Sequence, residues 1–187
     1  KTATEGALPP EPGIRPGEAT EGDKRAELMR VFMEATQARL SGRPMEALQG
    51  YQRCLRLDRT NAAVHFELAK LYHQGQNPAQ AVVHAKEAVA ADKTNIWYRF
   101  LLADLYRESG RATDAVEVYK GILQQWPDRY EVYMDLAAAH AFAGKVDEAA
   151  KVYADMEKRF GISEELIAHA FNTYMAAGSW ANAEQLV

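Results

Sequence analysis

Few side chains in this 187-residue sequence stand at spacings that could do chemistry. Cys54 is the only cysteine, so an internal disulfide framework and a cysteine-based zinc knuckle are both excluded. The histidines His65, His73, His84, His140 and His169 show no HxxxH or HExxH spacing, the pattern that puts two imidazoles on one helical face for a metal. No GxSxG elbow, phosphate-cradling glycine loop or dinucleotide fingerprint occurs. The acid pairs Asp147-Glu148 and Glu164-Glu165 fall at expected helix starts, where the helix dipole favours negative charge without any catalytic duty. These residues predict a chain with no enzymatic activity, no metal site and no cofactor.

Composition narrows the class further. Hydrophobic residues make up 48% of the chain, enough to bury a core. A formal charge of −4, with no gathered basic face, argues against nucleic acid. The longest apolar runs, such as Met134 to Phe142 with Asp135 and His140 inside it, are far below the roughly 20 residues that span a bilayer, so no direct membrane insertion is expected. Residues 1–24 hold Pro9, Pro10, Pro12 and Pro16 and four glycines but no aromatic residue, which predicts a flexible Pro/Gly-rich tether.

The elements that must position any site announce themselves by repetition. Ala47, Ala81, Ala115, Ala149 and Ala183 recur every 34 residues. Tyr51, Ala85, Tyr119, Tyr153 and Val187 follow them in phase, and Ala35, Ala69, Ala103, Ala137 and Phe171 precede them in phase. A glycine (Gly42, Gly75, Gly110, Gly144, Gly178) lies five or six residues before each alanine, where a helix can end on a left-handed residue. Pro44 and Pro78 then suit the first turn of a second helix, with Asn77 and Ser179 as caps before it and Asn61, Asn95 and Ser163 as caps between repeats. The spacing predicts helix pairs over 25–40/44–58, 62–74/78–91, 96–109/112–125, 130–143/146–159 and 164–177/180 onward. In this register Cys54 aligns with Ala88, Ile122 and Met156, and His140 with Tyr72 and Tyr106, so both are expected to pack in the core.

The pattern resembles the tetratricopeptide repeat, best matched by Leu102-Ala103, Tyr106, Ala115, Tyr119 and Pro127 in the third unit. Leu68-Ala69, Tyr72, Ala81 and Ala85 repeat it in the second unit, and Tyr133, Leu136-Ala137, Ala149 and Tyr153 in the fourth. The resemblance implies an all-α fold, a right-handed α-solenoid of tandem helix-turn-helix repeats over 25–187, with units about 28–61, 62–95, 96–129, 130–163 and an incomplete 164–187. Glu34 stands where other units carry Leu68, Leu102 and Leu136, as in an end repeat.

The resemblance also implies a ligand face, because the first helix of each pair lines the concave side in this family. The lining places fall on Phe32, Phe66, Phe100 and Met134 as a stripe, flanked by Trp97, Leu101 and Phe142 and by Lys70, Asp104, Arg107, Glu131 and Asp135. The rings could fill the seam between helices, or they could be left over for a partner. The second reading is favoured, since Leu68, Tyr72 and their equivalents already account for the seam. The family's clamp for a terminal carboxylate needs lysine, asparagine and arginine, whereas those places here carry Phe32, Thr36, Glu67, Trp97 and Leu101, or Phe66, Lys70, Leu101, Glu131 and Asp135. The expected function is a protein–protein interaction scaffold that binds an apolar or amphipathic peptide segment in its groove. The alternative is a structural spacer or self-assembling repeat domain of a larger protein, associating through its C-terminal edge. The compartment is unassigned, although a long tether ahead of repeats is compatible with anchoring in a bacterial envelope or a periplasmic location.

Overall fold

A computed structural model describes residues 20–186, and within them every regular element is an α-helix. The helices fall into two compact units, one ending at Leu57 and one beginning at Asp58, each described by itself.

The first unit holds α1 (Glu21–Leu40) and α2 (Pro44–Leu57). The start of α1 is set by a capping box: Thr20 Oγ1 accepts from the Asp23 N–H at 3.1 Å, and the Asp23 carboxylate accepts from the Thr20 N–H at 3.0 Å. The helix therefore begins four residues ahead of the expected residue 25, taking residues 21–24 out of the expected tether. Residues 1–19 of that tether lie outside the described residues. Val31, Ala35 and Ala38 are buried from one helix, and Ala47, Tyr51 and Cys54 from the other. The crossing is closest at Gly50, where a β-carbon would stand 2.6 Å from that of Ala35. Tyr51 packs its ring on Phe32 with centroids 5.5 Å apart, and its hydroxyl is 2.9 Å from that of Thr36. Cys54 is fully buried, and burial raises its thiol pKa, which keeps it protonated and inert.

The second unit holds α3 (Ala62–Gln74), α4 (Pro78–Ala91), α5 (Ile96–Glu108), α6 (Ala112–Gln125), α7 (Tyr130–Phe142), α8 (Val146–Phe160), α9 (Glu164–Ala176) and the short α10 (Trp180–Glu184). Every end lies within one residue of the spacing-based expectation. Asn61, Asn77, Asn95 and Ser163 each accept a backbone N–H at the helix they precede, whereas Ser179 makes no side-chain cap.

The turn inside each hairpin repeats at the level of single atoms. The N–H groups of Arg43, Asn77, Arg111, Lys145 and Ser179 donate to the carbonyls of Ala38, Tyr72, Tyr106, His140 and Tyr174, at 2.8–2.9 Å. This Schellman bond requires a left-handed residue just before the donor. Gly42, Gly110, Gly144 and Gly178 supply it with φ between 69 and 74°. In the α3–α4 turn the glycine falls one place early: Gly75 has φ −79°, and Gln76 takes the left-handed position at φ 55°. Gln76→Gly should therefore raise stability by about 0.5–1 kcal/mol, because a side chain with a β-carbon is strained there and glycine is not. A chemical-denaturation midpoint that does not move would show the turn to be unstrained.

Alanines set the distance of close approach. Ala69, Ala81, Ala103, Ala115, Ala137 and Ala149 are all fully buried, which lets helix backbones meet without intervening side-chain bulk. Tyr119, Ile122, Leu105 and Val132 fill the core around α5 and α6, and Tyr153, Met156, Leu166 and Tyr174 that of the last hairpins. The result is an all-α helical-repeat solenoid. Among the described residues no helix is long and apolar enough to cross a membrane.

Candidate functional site

The first helices of three consecutive hairpins, α3, α5 and α7, line a common cleft of about 560 Å³. Helical spacing explains which side chains reach it, since residues three or four apart share a face. Phe66 and Lys70 come from α3; Trp97, Leu101 and Asp104, with Ile96 and Phe100, come from α5; Glu131 and Asp135 come from α7, and Arg129 from just before it.

Aromatic and apolar groups form the floor. Trp97 and Phe100 have ring centroids 5.9 Å apart, and Phe66 packs on Tyr98 at 5.0 Å. Phe100 and Leu101 also rest one edge on the core, whereas Trp97 is 68% exposed. Charges surround this floor mostly in pairs. Lys70 Nζ lies 3.1 Å from Glu67 and 5.0 Å from the Phe66 centroid, Arg107 is 3.1 Å from Asp104, and Arg129 is 3.2 Å from Glu131. Asp135 differs from the others. It is half-buried, and loss of solvent pushes its carboxyl up to about 6, with Arg107 opposing that rise and Asp104 and Glu131 adding to it. Below these acids the fully buried Tyr119 has its hydroxyl without a hydrogen bond of ordinary geometry. Burial raises its pKa, as do Asp135 and Asp104, while the nearby Arg107 guanidinium partly offsets them.

Eight of the side chains expected from the resemblance thus share one cleft: Phe66, Lys70, Trp97, Phe100, Leu101, Asp104, Glu131 and Asp135. Three are placed elsewhere. Phe32 belongs to the α1–α2 unit and packs on Tyr51. Met134 is partly buried and packs against the core cluster of the last hairpins, which joins α7 to α9. Arg107 is half-exposed and does not line the cleft, but it pairs with Asp104 and acts electrostatically on Asp135, both of which do. Sequence reasoning missed Ile96 and Arg129; Ile96 stands one helical turn before Phe100, which was the available signal.

The histidines form contacts that linear spacing does not reveal. His65 Nδ1 lies 2.9 Å from His84 Nδ1, and His65 Nε2 lies 3.0 Å from the Arg59 carbonyl. A carbonyl only accepts, so His65 carries its proton on Nε2, and His84 must donate through Nδ1. The pair ties α3 to α4, with Tyr72 stacked on His84 at 5.3 Å, and burial lowers the His84 pKa. His140 is buried in the packing position that its register predicts, and burial lowers its pKa as well. Among the described residues no three His, Cys, Asp or Glu side chains gather as a metal-ligand set.

Comparison with known proteins follows the same geometry. Tetratricopeptide repeat family models match residues 32–96 and 106–161. No curated protein matches the chain by sequence. Among solved structures, a tetratricopeptide repeat protein from Parabacteroides merdae superposes with a TM-score of 0.71 at 15% identity, over 86% of this chain and 64% of that one. YrrB, described as a TPR protein with an unusual peptide-binding site, gives 0.67 at 16% identity over 87% and 84%. MamA from Desulfovibrio magneticus RS-1 gives 0.67 at 11% identity over 89% and 93%. At such identities the structures share the fold with this chain, while the family matches and the in-phase turns, caps and alanine crossings go further: the chain belongs to the tetratricopeptide repeat family.

Proposed function

We propose that this chain is a protein-interaction scaffold whose α3–α5–α7 cleft holds a peptide segment of a partner protein. Repeats of this family serve as non-catalytic scaffolds, and YrrB offers a structural precedent for peptide binding on the fold. The observation that carries the reading is Trp97, 68% exposed in the first turn of α5 and set beside Phe100, Phe66 and Leu101 in one concavity. A large aromatic side chain left in water at the centre of an apolar depression loses favourable burial unless something covers it. Paired charges at the rim suit an amphipathic segment, and the acids Asp104, Glu131 and Asp135 disfavour a terminal carboxylate.

The test separates binding from folding. Peptides selected from a random library displayed on phage, panned against the folded chain, should lose about thirtyfold or more in affinity for Trp97→Ala, as expected for an aromatic anchor worth about 2 kcal/mol. Thermal stability of that variant should barely change, because the side chain is mostly exposed in the free protein. Phe66→Ala should behave similarly, with a modest loss of stability from its contact with Tyr98. Selected peptides that bind both variants as well as the parent would remove the cleft from consideration.

A further inference from the structure

We propose that the segment held in this cleft presents an arginine side chain, whose guanidinium lies between Asp135 and Asp104 against the aromatic floor. The inference rests on the peptide-binding reading above and adds the chemistry of the occupant.

Charge complementarity is the first argument. Lys70, Arg129 and Arg107 each have a carboxylate at ion-pair distance in Glu67, Glu131 and Asp104. Asp135 has no hydrogen bond or ion pair among the described residues, although it lines the cleft and is half-buried. Arg107 serves both Asp104 and Asp135, so this trio keeps a net negative charge.

A purely apolar segment laid over Phe66, Trp97 and Phe100 would take Asp135 out of water with no partner, and an unpaired buried carboxylate is strongly unfavourable. Covering the floor therefore either forces Asp135 to take up a proton or is matched by a cation on the occupant, and the cation avoids that cost. Beneath, the buried Tyr119 hydroxyl has no hydrogen bond of ordinary geometry and lies within electrostatic reach of Asp135, Asp104 and Arg107.

Arginine fits this setting better than lysine. Its planar guanidinium can bridge two carboxylates, stacks on aromatic faces and gives up hydration more readily than an ammonium. Phe100 supplies such a face one helical turn before Asp104, with Trp97 packed on it.

The experiment uses the phage-selected peptides and compares arginine with citrulline, which keeps the shape and removes the charge. Enriched sequences should carry arginine beside large apolar residues. Replacing that arginine by citrulline should weaken binding to the parent chain about tenfold or more, and by less than about threefold to Asp135→Asn, since the carboxylate partner is then gone. Selection of lysine in its place, selection of apolar peptides without a cation, or equal binding of the citrulline analogue would overturn the arginine inference. In each of those cases retained sensitivity to Trp97→Ala leaves the peptide-binding reading intact. Peptides indifferent to Trp97→Ala and Phe66→Ala, or no enriched peptides at all, overturn both.

Discussion

Tyr119→Ala is expected to lower stability by about 3–5 kcal/mol, the range for deleting a large, fully buried aromatic ring. Tyr119 sits on α6 where that helix meets its neighbours, in the cluster with Leu105, Ala115 and Ile122, so deleting its ring leaves a cavity in that core. Tyr119→Phe should behave in the opposite way. Its hydroxyl is buried with no hydrogen bond of ordinary geometry, only the Arg107 guanidinium being near enough to favour its charged form, so removing it relieves a desolvation cost and should leave stability unchanged or raise it by about 1 kcal/mol. Denaturant unfolding of the two variants decides the matter, and a large loss in Tyr119→Phe would mean that the hydroxyl is bonded after all.

The second large effect belongs to Asp135 and depends on pH. Its folded pKa of about 6 lies above the unfolded value near 3.8, so the folded chain holds the proton more tightly. Stability therefore falls as pH rises through the window between those two values, and above it the ionised carboxylate costs on the order of 3 kcal/mol. The groups that face it are Asp104 and Arg107 from α5, Tyr119 from α6 and Glu131 on its own helix. Asp135→Asn cannot ionise, so it should be more stable than the parent by that amount at pH 7.5, and the advantage should vanish near pH 4. A variant less stable than the parent at pH 7.5 would show that the Arg107 attraction outweighs burial. A residue that weakens the free fold while lining a cleft is the pattern expected where function sets the residue.

Much of this fold was legible because the repeat fixes phase. Once Ala47, Ala81, Ala115, Ala149 and Ala183 share a 34-residue period, each helix end follows from the turn between them. Legibility failed where an atom-level detail outweighed composition. The capping box at Thr20 and Asp23 started α1 inside a segment that its prolines and glycines mark as tether. At the α3–α4 turn the Schellman geometry kept its place while the glycine moved, leaving Gln76 in the left-handed position. The eight cleft residues were readable because first-helix places recur with the same phase. Met134 was not, since its contact is with the core cluster that joins α7 to α9, which spacing along one helix does not show. The His65–His84 contact joins positions on two different helices and leaves no trace in spacing along one.

Whether a partner binds in the concavity of α3, α5 and α7 is decided by mapping amide chemical-shift changes while a phage-selected peptide is titrated into the isotope-labelled chain. The largest changes should cluster at Phe66, Lys70, Trp97, Phe100, Leu101 and Asp135, with the second helices α4, α6 and α8 nearly silent. Changes centred instead on those second helices, or on α9 and α10 around Ile167 and Trp180, would contradict binding in that concavity.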